Sequence, residues 1–130
     1  MHFRRTGIVL FTENYDKCVD FYARKLALPV LFALDDQQAK LTCCDMNGQY
    51  LMIETGGTAA ANGKNRLQNP VLLRFNVEDI DASVAELEQQ GIKTKLRRES
   101  WGIVANFTDP DGNRCQLRDE RTFAEYIDPQ

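Results

Sequence analysis

The sequence has 130 residues, one ordinary domain's length, and its 43% hydrophobic and 27% charged residues exclude a disordered or fibrous chain. A net charge of −3 argues against a nucleic-acid partner, which calls for a basic surface. The N-terminal apolar run is cut short by Thr12, Glu13 and Asn14, too soon for a signal sequence or a membrane span, so the expectation is a cytoplasmic protein with no membrane partner.

In chain order, residues 3–11 read as a strand. Residues 16–26 read as a helix, with Cys18, Val19, Tyr22 and Leu26 on one stripe. Three strands follow at about 30–34, 39–45 and 49–55, the last two joined by an Asn47-Gly48 tight turn. Residues 56–69, rich in Gly, Ala and Asn, read as a linker whose glycines lack the Gly-Lys-Ser/Thr ending of a phosphate loop. Residues 71–77 alternate apolar Val71, Leu73, Phe75 and Val77 with their neighbours, the mark of a strand with one apolar face. A second helix begins at Ile80, between an N-cap signal at Asp79 and a C-cap signal at Gly91, with Ile80, Val84 and Leu87 on one stripe. Strands at about 92–97, 102–108 and 114–118 close the second half, with Asp111-Gly112 turning between the last two. The basic run Lys93 to Arg98 reads as a solvated edge strand, because Lys and Arg guard edges against pairing. Residues 120–130 read as a short helix anchored by Phe123 and Tyr126.

The two halves repeat one another. Glu13, Asp16 and Val19 match Glu78, Asp81 and Val84 at an offset of 65 residues, and Asp45-Met46-Asn47-Gly48 matches Asp109-Pro110-Asp111-Gly112 at 64. Each half is a strand, a helix and three strands. The boundaries are about 3–55 for the first repeat, 56–69 for the linker, 70–118 for the second repeat and 119–130 for a C-terminal tail, all within a single domain.

Cys18, Cys43, Cys44 and Cys115 contain no Cys-x-x-Cys spacing and read as small buried hydrophobes. The one histidine, His2, sits at the N-terminus, which leaves a thiol or hydroxyl nucleophile without a base.

The tandem repeat, the segments Asp16 to Tyr22 and Leu26 to Leu28, the helix from Ile80 to Gly91, and Asp109-Pro110-Asp111-Gly112-Asn113 before the last strand together resemble the vicinal oxygen chelate superfamily, the glyoxalase/bleomycin resistance/dioxygenase group. The resemblance implies an α+β fold in which tandem βαβββ repeats form a glyoxalase-like half-open barrel around a cavity. It also implies a homodimer. Metal-dependent members bind one divalent cation through four positions, which carry over to Gly7, Glu54, Leu72 and Gln116. Gly7 and Leu72 have no ligand atom, so the reading is no metal and no cofactor. Glu54 and Gln116 are 62 residues apart, and the two-residue adjustment this needs keeps both on the same strand face.

Strand alternation beneath that resemblance predicts a ligand-facing set of Arg5, Tyr50, Met52, Glu54, Leu72, Arg74, Asn76, Asn106, Arg114 and Gln116, with Gly7, Val9 and Arg118 sharing those faces. Ile8, Leu10, Leu73 and Phe75 should pack under the helices. Arg74 interrupts an apolar strand, either pairing with Glu54 or binding an anion on the ligand. Trp101 stands where it could cover a planar ligand or serve as a packing residue. The resulting functional reading is a protein that binds a small, anionic or aromatic molecule without the family metal. The alternative is a metal-dependent lyase or isomerase of the glyoxalase type, or a dioxygenase, with Glu54 as catalytic base or sole anionic ligand. Whether the chain is an enzyme is open at this point.

Overall fold

The computed structural model describes residues 1–128 and divides into two compact units, Met1–Asn62 and Gly63 onward, a boundary inside the expected linker. Each unit carries one βαβββ repeat and one four-stranded mixed sheet, which together make the α+β architecture expected.

The first unit comprises β1 (Gly7–Thr12), α1 (Tyr15–Val19) running into a π-helical segment (Asp20–Lys25), β2 (Val30–Asp35), β3 (Lys40–Met46) and β4 (Gln49–Thr55). Its sheet order is β1-β4-β3-β2, with β1 parallel to β4 and the other pairs antiparallel. Strand β1 starts at Gly7 rather than Phe3 because its partner begins at Gln49, just past the Asn47-Gly48 turn, which leaves Phe3 to Arg5 nothing to pair with. Both turn residues have positive φ, 55° and 99°, as a two-residue hairpin requires. The helix is continuous where expected but widens at Asp20. Leu26 N donates to Phe21 O at 2.9 Å, a five-residue step that lets adjacent Phe21 and Tyr22 both turn inward. Those two rings meet edge to face at 5.0 Å and, with Cys18, are buried, whereas Val19 and Leu26 of the expected stripe are only half-buried. Leu51 and Ile53 of β4 complete this core.

The second unit comprises β5 (Leu73–Val77), α2 (Ile80–Gln89), β6 (Lys95–Glu99), β7 (Gly102–Thr108), β8 (Arg114–Asp119) and α3 (Glu120–Ile127), with sheet order β5-β8-β7-β6. Asp79 caps α2 by accepting from Ala82 N at 3.0 Å. At the other end Gly91 takes φ 80°, and Gly91 N and Ile92 N close on Glu88 O and Leu87 O, both at 3.0 Å, the Schellman pattern. Ile92 is spent on that stop and buries itself beside the helix end, so β6 begins at Lys95, three residues later than expected. β6 is an edge strand, as the basic run implied. Helix α2 packs on β7 and β8, as does α3. Helix α3 is held by Asp119, Thr122 and Phe123; Tyr126 is 67% exposed and is not the anchor expected.

Candidate functional site

In each sheet one side packs on α1 or α2 and the other is open, except that α3 crosses the open side of the second sheet at Asn76 and Arg118. The open side can be read row by row from strand register. In the second unit Arg74 of β5 stands beside Gln116 of β8, Gln116 beside Asn106 of β7, and Asn106 beside Lys95 of β6. This row is a relay. Arg74 Nε donates to Gln116 Oε1 at 2.7 Å, and Gln116 Nε2 donates to Asn106 Oδ1 at 2.7 Å. In the first unit the corresponding row runs Val9, Met52, Cys43, Phe32 and is apolar throughout. By this register Met52 stands to Val9 as Gln116 stands to Arg74, and Glu54 lies one row further on, opposite Phe11.

Each open side holds a cleft. The first has a volume of about 630 Å³ and is lined by Arg5, Leu31, Phe32, Cys43, Asp45, Tyr50 and Met52. Three of the expected ligand-facing residues, Arg5, Tyr50 and Met52, meet there. Tyr50 lays its ring over Gly7, filling the space that a Cβ at position 7 would enter. Burial pushes the Cys43 thiol upward in pKa, so it lines this wall as a neutral group; Cys44 behind it is raised by burial and by Cys43. All four cysteines are buried.

The second cleft, about 460 Å³, brings together four expected residues, Leu72, Asn106, Arg114 and Gln116. It also recruits Arg66, Lys93, Lys95 and Arg97, which the sequence reading left to the linker and to a solvated edge. Lys93, Lys95 and Arg97 alternate along the chain, and that spacing was the available sign that they share a face. The lining residues Thr108 and Arg114 flank the turn at residues 109–113. Asp109 Oδ1 accepts from Asp111 N and Asn113 N, and Asn113 Oδ1 accepts from Lys64 Nζ and Asn69 Nδ2, each at 2.9 Å. Asn69 O in turn accepts from Arg114 Nη2 at 2.8 Å. The buried turn thereby ties down both the end of the linker and the guanidinium at the cleft.

Four expected residues lie elsewhere. Glu54 gives only its backbone carbonyl, which accepts from Thr12 Oγ1 at 2.9 Å. Arg74 borders the second cleft through Gln116 without lining it. Asn76 Nδ2 donates to Glu120 Oε1 at 2.9 Å, joining β5 to α3. Trp101 stacks on Arg118, whose guanidinium carbon is 4.8 Å from the indole ring and 5.4 Å from Phe123. Arg118 therefore does not open onto a ligand face as alternation suggested. It is buried, donates to Trp101 O at 2.8 Å, and pairs with Asp119 at 3.4 Å because α3 folds across it.

The four family metal positions do not compose a donor set. Gly7 and Leu72 offer no ligand atom, and Gln116 Oε1 already accepts from a guanidinium that would repel a cation. Among the described residues no group of three or more His, Cys, Asp or Glu is placed to hold a metal, and no helix is long and apolar enough to cross a membrane.

Comparison with known proteins agrees with the architecture. The chain is 29% identical over 119 residues to the uncharacterized protein YraH of Bacillus subtilis, covering 85% of this chain and 93% of that one. Among solved structures it resembles a glyoxalase family protein from Enterococcus faecalis, with 25% identity, TM-score 0.70 and coverage of 91% and 97%. It also resembles TnmS3, an antibiotic binding protein from a Streptomyces species, with 19% identity, TM-score 0.69 and coverage of 91% and 96%. A family model matches residues 4–117, and the chain belongs to the Glyoxalase/Bleomycin resistance protein/Dioxygenase superfamily.

Proposed function

We propose that this chain binds a small organic molecule on the open sides of its sheets, without a metal ion and without chemistry on the ligand. The observation that carries the reading is the donor set. A ring covers Gly7, Leu72 is aliphatic, and the amide oxygen of Gln116 is held by Arg74, which leaves the Glu54 carboxylate as the one remaining donor of the four positions, too few to hold a cation. The first cleft supports the same reading. Its aromatic and thioether walls suit a planar or aromatic compound, with Arg5 to take a negative group on it and Asp45 as the one carboxylate of the lining. The antibiotic-binding neighbour shows that a fold of this kind can serve binding. A homodimer belongs to the reading: edge strand β2 leaves Val30, Leu31, Phe32 and Leu34 about half exposed, with no charge before Asp35 to guard the edge.

The test is the metal content of protein purified without a histidine tag, together with melting curves in nickel, zinc, manganese or iron(II) and with a set of aromatic carboxylates. Stabilisation by aromatic acids with neither stoichiometric metal nor a metal-induced shift is the expected result. A stoichiometric metal with a clear shift would overturn it in favour of a metal-dependent lyase or dioxygenase. Light scattering checks the dimer.

A further inference from the structure

We propose that the cleft of the second unit is a site for a compact, multiply charged anion of the phosphate-ester class. The proposal deepens the small-molecule reading and rests on it. Arg66, Lys93, Lys95, Arg97 and Arg114 line this one cleft, and no carboxylate lines it. The chain as a whole carries −3, so five cations here are a concentration against the background rather than part of it. Carboxylates also lie close by: in the adjoining turn Asp109 is spent on Asp111 N and Asn113 N. Glu99 is 3.6 Å from Arg97 on an exposed stretch, and Glu88 accepts from Thr94 at 3.2 Å. None offsets the group: among the described residues Arg66, Lys93, Lys95 and Arg114 have no carboxylate within 4.0 Å. Gathering like charges without counterions raises the local positive potential and draws an anion to the cleft.

Hydrogen-bonding sense points the same way. The relay engages both amide oxygens of the central row, Gln116 Oε1 and Asn106 Oδ1, with donors from within the sheet. What the row offers outward is the N–H groups of Asn106 and Lys95. Arg114 adds a fixed donor: its Nη2 is held by Asn69 O, while its Nε is buried with no partner among the described residues. A surface of donors with its acceptors turned inward suits phosphate oxygens. Five of the 16 Lys and Arg residues of an acidic protein line this one cleft, which favours a compact ligand over a nucleic-acid backbone.

Calorimetric titration of the full chain with inorganic pyrophosphate tests this, with citrate as the carboxylate comparison and a 20-base-pair duplex DNA as the macromolecular one. Pyrophosphate should bind, and weaken by about tenfold or more between 20 and 200 mM salt. The double variant Lys93→Glu, Lys95→Glu should lose about tenfold in affinity with an unchanged melting temperature, since both positions are exposed. Arg114→Gln should lose a similar factor. Arg98→Gln, on the opposite face of β6 and 3.5 Å from Asp81, should stay within about twofold of the parent. Citrate bound more tightly than pyrophosphate would overturn the phosphate assignment, and duplex DNA bound more tightly would overturn the compact ligand. Pyrophosphate affinity unchanged in the double variant would overturn the site. No binding of pyrophosphate or citrate, with stabilisation by an aromatic compound retained, overturns this inference alone; failure of every class overturns the small-molecule reading with it.

Discussion

Asp119→Asn removes one negative charge from the junction of β8 and α3 and leaves shape nearly unchanged. The parent carboxylate is buried, which pulls its pKa upward. Donation from Ile103 N at 2.8 Å and from Thr122 Oγ1 and Thr122 N, together with the Arg118 guanidinium, outweighs burial and holds it at about 2, below the ordinary 3.8. A folded-state pKa below the unfolded one contributes stability that is complete above pH 4 and lost as pH falls through 2. At about 1.4 kcal/mol per unit the charge accounts for about 2 kcal/mol. The variant also strands Arg118, 4% exposed between Trp101 and Phe123, without its counterion, and breaking such a buried pair raises the total to about 3 kcal/mol. Urea unfolding followed by Trp101, the only tryptophan, should show this loss at pH 7 and a much smaller gap between variant and parent near pH 2.5. A loss under about 0.5 kcal/mol at pH 7, or a gap that does not narrow in acid, would refute the account.

Other perturbations test separate parts of the fold. Gly91→Ala forces a side chain into φ 80° at the end of α2 and should cost about 1 kcal/mol by thermal unfolding. Leu51→Ala and Leu117→Ala, at 0% and 4% exposure in the two cores, should each cost about 2–5 kcal/mol in urea. Cys43 should react slowly with iodoacetamide at neutral pH and faster as pH rises past 9, because burial lifts its pKa; in a protein with the other three cysteines replaced, a compound filling the first cleft should slow that rate further.

Most of the fold was legible because it is written in local signals. The Asn47-Gly48 turn, the Asp79 cap and the Gly91 stop fall where sequence places them, and the repeated pattern brought β4 and β7 out with the expected bounds. What was lost depends on partners that periodicity does not see. Phe3 to Arg5 look like a strand but outrun β4, and Ile92 looks like one but completes a helix stop. The candidate site was half legible. Alternation placed Tyr50, Met52, Asn106, Arg114 and Gln116 on open faces, yet placed Arg118 there too, because nothing in β8 itself announces that α3 will cover its end. The cations of β6 were seen as edge protection, and β6 is an edge strand. That they also line a cleft follows only from the row in which Lys95 meets Asn106.

The shared register of the two sheets separates what duplication preserved from what it released. Toward the helices both copies keep the same demand, met by Leu51 and Ile53 in one and by Cys115 and Leu117 in the other, so change there is felt as lost packing. On the open rows the copies differ, a thioether and a thiol in one and a pair of amides in the other, on matching pairings of the two central strands. Specificity in such a protein can evolve, or be engineered, one row at a time: grafting Arg, Gln, Asn and Lys onto positions 9, 52, 43 and 32 would write the chemistry of one sheet onto the frame of the other.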